Sequence, residues 1–178
     1  MAIIKPNNNT ISAITALPAS ITTGKVLQVV SASKTNVFST SSTSYTDVTG
    51  LSVSITPSSS SNKILVMMDV VGGSGAYISM FLRLVRDSTA IHVGANPGSR
   101  YAATAGASDD PSNQFTMSMT GAVLDTPSTT SATTYKVQMA TEGSGNTGTC
   151  YINSSGEDNN NNQNGYYASS ITVMEVAG

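Results

Sequence analysis

A chain of 178 residues with 10% charged side chains and a net charge of −2 fits one domain with a short appendage. It carries no basic run, which excludes nucleic-acid binding by phosphate neutralisation, and its apolar runs are too short for membrane insertion as a spanning helix. Met1-Ala2-Ile3-Ile4-Lys5 lacks the apolar core of a signal peptide, and the single cysteine, Cys150, forbids an intrachain disulfide, so synthesis in a cytoplasm and stability from packing are expected.

Ser and Thr fill roughly 30% of the positions, well above ordinary usage. Such a composition suits exposed strands and turns, and it is poor material for helix surfaces.

Residues 1–24 stand apart from the rest. Pro6-Asn7-Asn8-Asn9 is a turn signal, and Ile11, Ile14, Leu17 and Ile21 form an apolar stripe that resembles a heptad seam, interrupted at Pro18. The stripe fits a stem packing with copies of itself, a plug for another protein, or a segment lying back on its own domain. Residues 25–178 read as a β-sandwich domain.

That domain begins with a strand at Lys25–Val30, then short strands at Val37–Ser39 and Tyr45–Val48. Thr49-Gly50 reads as a turn into Leu51–Thr56, where apolar and polar residues alternate. The longest apolar stretch is Lys63–Asp87. Ile64, Val66, Met68 and Val70 share one face of its first run, and Ile78, Met80, Leu82 and Leu84 share one face of its second. Gly72-Gly73-Ser74-Gly75 lies between them, so the two runs read as a hairpin at the centre of the core. Leu65, Met67 and Phe81 are apolar on the opposite face, which a two-layer sandwich leaves uncovered. They are therefore expected in a subunit interface.

Thr89–Gly94 returns as a strand. Residues 95–113 show no regular element, and a loop of that length is expected to be functional or disordered. Further strands follow at Phe115–Val123, Tyr135–Met139, Thr149–Ile152 and Ile171–Val176, with a polar loop from Ser154 to Gly165. About ten short strands without a helix predict an all-β fold. Two antiparallel sheets packed as a sandwich are expected, with the jelly roll as first choice.

Chemistry is sparse. His92, the sole histidine, has no recognisable nucleophile or carboxylate partner and would stand alone as a metal ligand. Cys150 reads as a buried, inert thiol. Asp109-Asp110 and Glu157-Asp158 lack the spacing of a calcium loop, and no phosphate-binding or zinc-protease motif occurs. No catalytic residue, metal or cofactor is expected. The two long loops supply the candidate contacts for a host surface or glycan. These are Asn96, Arg100, Tyr101, Asp109 and Asp110 in one, and Glu157, Asp158, Tyr166 and Tyr167 in the other.

GKVLQVVSASKTNVFSTSSTSYTDVTGLSVSITPSSSSNKILV, from Gly24 to Val66, resembles a segment common in structural proteins of tailed bacteriophages, particularly those of cyanobacterial and marine phages. The closing SSITVMEVAG is similar to their last strand, and ISAITALPASITTGK resembles the linker that joins such domains to an attachment region. The resemblance implies a non-enzymatic virion component of tail-fibre, tip, head-fibre or decoration type, made in a bacterial host. It further implies a homotrimer, held to other virion proteins by the N-terminal segment, and touching a host polysaccharide or receptor through its loops. The segment before the sandwich is shorter than in typical tail fibres. A lectin-like carbohydrate-binding module of the same fold is the alternative. A depolymerase ranks third, for want of a placed carboxylate pair.

Overall fold

The structure is a computed structural model that describes residues 25–74, 78–95, 98–108, 115–142, 148–156, 162 and 164–178, and structural statements refer to these. Eleven strands follow in order: β1 (Val26–Lys34), β2 (Phe38–Thr40), β3 (Thr46–Ile55), β4 (Lys63–Ser74), β5 (Met80–Arg86), β6 (Thr89–Ile91), β7 (Ala105–Ala107), β8 (Phe115–Asp125), β9 (Thr133–Thr141), β10 (Cys150–Ile152) and β11 (Ser169–Val176). They form two antiparallel sheets. One runs β1-β11-β4, with β8 on the far side of β4 and the short pair β10-β2 beside the end of β4. The other runs β3-β9-β5-β6, with β7 also paired to β5.

The pairing of the long strands is nested. The first pairs with the last (β1·β11), β3 with β9, β4 with β8, and β5 with the adjacent β6. A long antiparallel ribbon rolled up on itself gives that order, with successive strands stepping from sheet to sheet. The fold is thus an all-β sandwich with jelly-roll pairing, as the strand pattern predicts.

Period-two alternation builds the core. Ile64, Val66, Met68 and Val70 of β4 point inward with Ile171 and Val173 of β11. They meet Met80, Leu82 and Leu84 of β5, Val137 and Met139 of β9, and Leu51, Val53 and Ile55 of β3. Each such buried side chain contributes about 1.5–3 kcal/mol of transfer free energy.

Three expectations need correction. First, β4 and β5 are not a hairpin. Each edge of β4 is already taken, by β8 on one side and by β11 and β10 on the other, so the chain crosses to the opposite sheet, where β5 pairs with β9. Second, Thr49-Gly50 does not end a strand. Gly50 takes φ +91° inside β3, which advances from Asp47 to Ser52 while β9 advances only from Gln138 to Lys136. The extra residues bulge outward and leave Val48 and Leu51 buried on the same core. Third, residues 95–113 contain a strand, β7, whose Gly106 sits against β5 so closely that a Cβ there would lie 2.8 Å from the Met80 carbonyl.

Hydrogen-bonded nodes close the ends of the sandwich. Glu175 is buried, and its Oε1 accepts from the Ser58 amide and hydroxyl (2.7 Å each) and from Asn62 Nδ2 (2.6 Å), while Oε2 accepts from Gln28 Nε2 (2.6 Å). Burial raises the carboxyl pKa, but the bonds from Asn62, Gln28 and Ser58 outweigh it and hold it at about 2. Asn153, at φ +64°, donates Nδ2 to the carbonyls of Lys34 (2.7 Å) and Asn36 (3.2 Å), and its Oδ1 accepts from the Ser169 hydroxyl (2.6 Å). Arg86 of β5 and Tyr135 of β9 both donate to Asp125 of β8, tying the two sheets together.

Candidate functional site

The outer face of the second sheet carries the most organised polar and aromatic cluster among the described residues. Alternation along β5 sends Leu82 and Leu84 into the core and leaves Phe81 and Arg83 outside. Register then places Arg83 opposite Gln138 of β9, and Gln138 opposite Asp47 of β3. The three side chains join in a line. Arg83 Nε donates to Gln138 Oε1 (2.8 Å), Gln138 Nε2 donates to Asp47 Oδ1 (2.6 Å), and Lys136 Nζ donates to Asp47 Oδ2 (2.8 Å). Bonds from Lys136 and Gln138 hold the Asp47 carboxyl below the usual range, so this carboxylate is already satisfied.

Aromatic rings frame the guanidinium of Arg83, whose central carbon lies 4.0 Å from the centroid of the Tyr45 ring, a cation–π contact. Tyr101 lies flat on Phe81 and meets Tyr45 edge-on, with centroids 6.0 Å apart. Both tyrosine hydroxyls are engaged. Tyr45 Oη donates to the Ala102 carbonyl (2.8 Å) and Tyr101 Oη to the Thr43 carbonyl (3.0 Å), so each ring ties its own segment to the other's backbone. Burial pushes the Tyr45 hydroxyl up to about 12. Farther along, Thr104 N donates to the Leu82 carbonyl (2.8 Å) and Leu84 N to Thr104 Oγ1 (3.0 Å), seating residues 98–104 on β5.

The result is an open hollow of about 340 Å³ lined by Tyr45, Arg83, Arg100, Tyr101 and the backbone around Gly98–Ser99. Among the described residues no carboxylate lines it. The structure therefore brings Arg100 and Tyr101, both singled out in the sequence, together with Tyr45 and Arg83, which were not. An arginine among the apolar residues Met80–Val85 was the available signal for Arg83. Tyr45 gave none, because only the closing of the loop brings it to Tyr101.

The remaining candidates are placed as follows. Tyr166 and Tyr167 are exposed, and Tyr166 bridges to Ser154. Asn96, Asp109, Asp110, Glu157 and Asp158 lie outside the described residues, as do Ile11, Ile14, Leu17 and Ile21. Phe81 does not share a face with Leu65 and Met67, since β4 and β5 belong to different sheets, and it is covered by Tyr101 from its own chain. His92 is exposed at φ +53° just past β6. Cys150 is buried, its thiol pushed up to about 12 by burial and by the charge of Glu142. Among the described residues no group of three or more His, Cys, Asp or Glu could hold a metal ion, and no helix is long and apolar enough to cross a membrane.

A second surface lies on the outer face of the first sheet. Register lines up Val29 with Met174, Met174 with Leu65, and Leu65 with Leu124, an apolar row across four strands. Val29 is 55% exposed and Leu124 49%, with Leu65 and Met174 half-buried between them, so the described residues leave the ends of the row uncovered. Beside it, Met67, Asp69, Thr120, Ala122, Ser170 and Thr172 line a shallow depression.

No protein-family model matches the chain, and no curated protein matches it in sequence. Among solved structures it is similar to a chain in the structure of infectious bursal disease virus Gx strain, at 14% identity and a TM-score of 0.38. The match covers 90% of this chain and 43% of that one, so the chain spans less than half the length of that protein.

Proposed function

We propose that the protein is a non-enzymatic structural component of a bacteriophage particle, of tail-fibre, tip, head-fibre or decoration type. In this reading it assembles as a homotrimer and is held to other virion proteins by residues 1–24. The observation that carries the assembly is the row Val29–Met174–Leu65–Leu124. Four apolar side chains in register, with Met67 and Ala122 beside them among Ser and Thr, form a patch that a second copy can cover, and methionines adapt well to such contacts. The jelly-roll pairing suits the reading, and the resemblance of Gly24–Val66 to phage structural proteins supports it.

Sedimentation tests it. Leu65→Asp and Leu124→Asp should each yield folded monomer, while Phe81→Ala should leave the oligomer intact because its ring sits under Tyr101. An unchanged oligomer in both Asp variants overturns the assembly reading.

A second reading, a carbohydrate-binding module of the same fold, draws support from the hollow at Arg83 and Tyr101. The two readings are compatible, since a virion component can carry its host contact on the face opposite its subunit contacts. A glycan array tests the second, and it fails if no saccharide is retained.

A further inference from the structure

Three features of the hollow bear on what it would hold. Its donors are cationic: Arg83 and Arg100 both line it, and the carboxylate of Asp47, next in line beyond Gln138, is ion-paired with Lys136 and hydrogen-bonded by Gln138. Arg83 uses only Nε within the protein. Its two Nη nitrogens have no hydrogen-bond partner among the described residues, and no buried side-chain nitrogen or oxygen there lacks a partner, so these donors face solvent. The guanidinium is also fixed in place, gripped by Gln138 at Nε and by the Tyr45 ring beneath it, so presenting its free edge costs little side-chain entropy.

The aromatic wall is equally fixed. Because the Tyr45 and Tyr101 hydroxyls end on backbone carbonyls, the rings offer carbon surface rather than hydroxyl groups. Aromatic carbon beside planar fork donors is the combination that takes a sugar ring through its C–H groups and an acid through its two oxygens. A hollow of about 340 Å³ lies at the small end of ligand sites, and its openness lets a polymer enter and leave. Nucleic acid is a poorer match, because the chain has net charge −2 and no basic track to follow a phosphate backbone.

We propose that this hollow binds a carboxylate-bearing saccharide unit, a uronate within an acidic polysaccharide. The carboxylate is taken by the guanidinium groups of Arg83 and Arg100, and the sugar ring lies against the Tyr45–Tyr101 wall. The inference deepens the carbohydrate-binding reading and rests on it. It is independent of how the subunits assemble.

Calorimetric titration of the full chain with trigalacturonate, maltotriose and sodium sulfate tests it. Trigalacturonate should bind with an affinity that falls as salt rises, and maltotriose at least about tenfold more weakly, as expected when a charge-assisted contact is lost. Arg83→Gln and Arg100→Gln should each weaken trigalacturonate about tenfold or more, a larger loss than for maltotriose. Arg100→Gln lies on an exposed loop, so it reads the site even if Arg83→Gln disturbs the sheet. Equal binding of maltotriose overturns the acidic specificity and leaves the carbohydrate reading standing. Binding of sulfate as tight as trigalacturonate reduces the site to a simple anion site and overturns the saccharide. Binding of none of the three overturns the proposal and removes the hollow's support for the carbohydrate reading.

Discussion

The ring of Tyr101 lies on that of Phe81 with centroids 4.4 Å apart and planes 12° from parallel. This stack joins a loop to the outer face of a sheet strand, and it covers the largest apolar side chain on that face of β5. Tyr101→Phe removes only the bond to the Thr43 carbonyl and should cost about 1 kcal/mol. Tyr101→Ala also removes the stack and uncovers Phe81, for a total of about 2–3 kcal/mol. Urea unfolding measures both, and amide exchange at residues 98–104 should quicken in the Ala variant alone.

Glu175 makes stability depend on acid. Its folded pKa of about 2 lies below that of an unfolded glutamate, so its contribution is complete above the ordinary carboxylate range and lost as pH falls toward 2. Glu175→Gln keeps one acceptor oxygen but sets an amide donor against either Gln28 or the Asn62–Ser58 pair, which themselves donate, and should cost about 3 kcal/mol at neutral pH. Urea unfolding of both proteins through the acid range should show the gap closing. A gap that stays constant would mean that the carboxyl is not ionised in the folded protein.

Asn153 combines a left-handed backbone with three side-chain bonds, and the two can be separated. Asn153→Gly keeps the backbone and abandons the carbonyls of Lys34 and Asn36, for about 2–3 kcal/mol. Asn153→Ala adds the penalty of φ +64° for a residue with a Cβ, about 1 kcal/mol more. Thermal or urea unfolding should therefore rank wild type above Gly and Gly above Ala.

Cys150 should be silent toward thiol reagents. With no exposed surface and a thiol pushed up to about 12, it offers almost no thiolate at neutral pH. Labelling by a disulfide reagent should appear only as denaturant opens the β10 region. Stoichiometric labelling of the native protein within seconds would contradict this placement.

Strand positions were largely legible, because strands such as β3, β4, β9 and β11 bury one face and alternation survives in the sequence. Ile64 to Val70 and Ile171 to Val176 needed nothing more. The pairing of β4 with β8 and β11 was not legible, since Gly72-Gly73-Ser74-Gly75 accommodates a reversal within a sheet and a crossing between sheets equally well. What decides is whether the edge of β4 is free, and that depends on strands distant in the chain. Gly50 shows the same limit. Its need for a positive φ could be read, but turn and bulge differ only in whether β9 continues alongside. The hollow was half legible: Arg100 and Tyr101 stand in a long polar loop, whereas Tyr45 and Arg83 join them only through the fold.

The crossed ties of Tyr45 and Tyr101 end on the carbonyls of Ala102 and Thr43, groups that every amino acid supplies. The frame is therefore indifferent to which side chains occupy positions 43, 99, 100 and 102, whereas Gly98, at φ +81°, holds a conformation that favours glycine. Substitutions at the others can accumulate while the rings, Arg83 and the sheet keep their places, so selection can retune what the hollow grips by editing a few surface codons without disturbing the sandwich beneath.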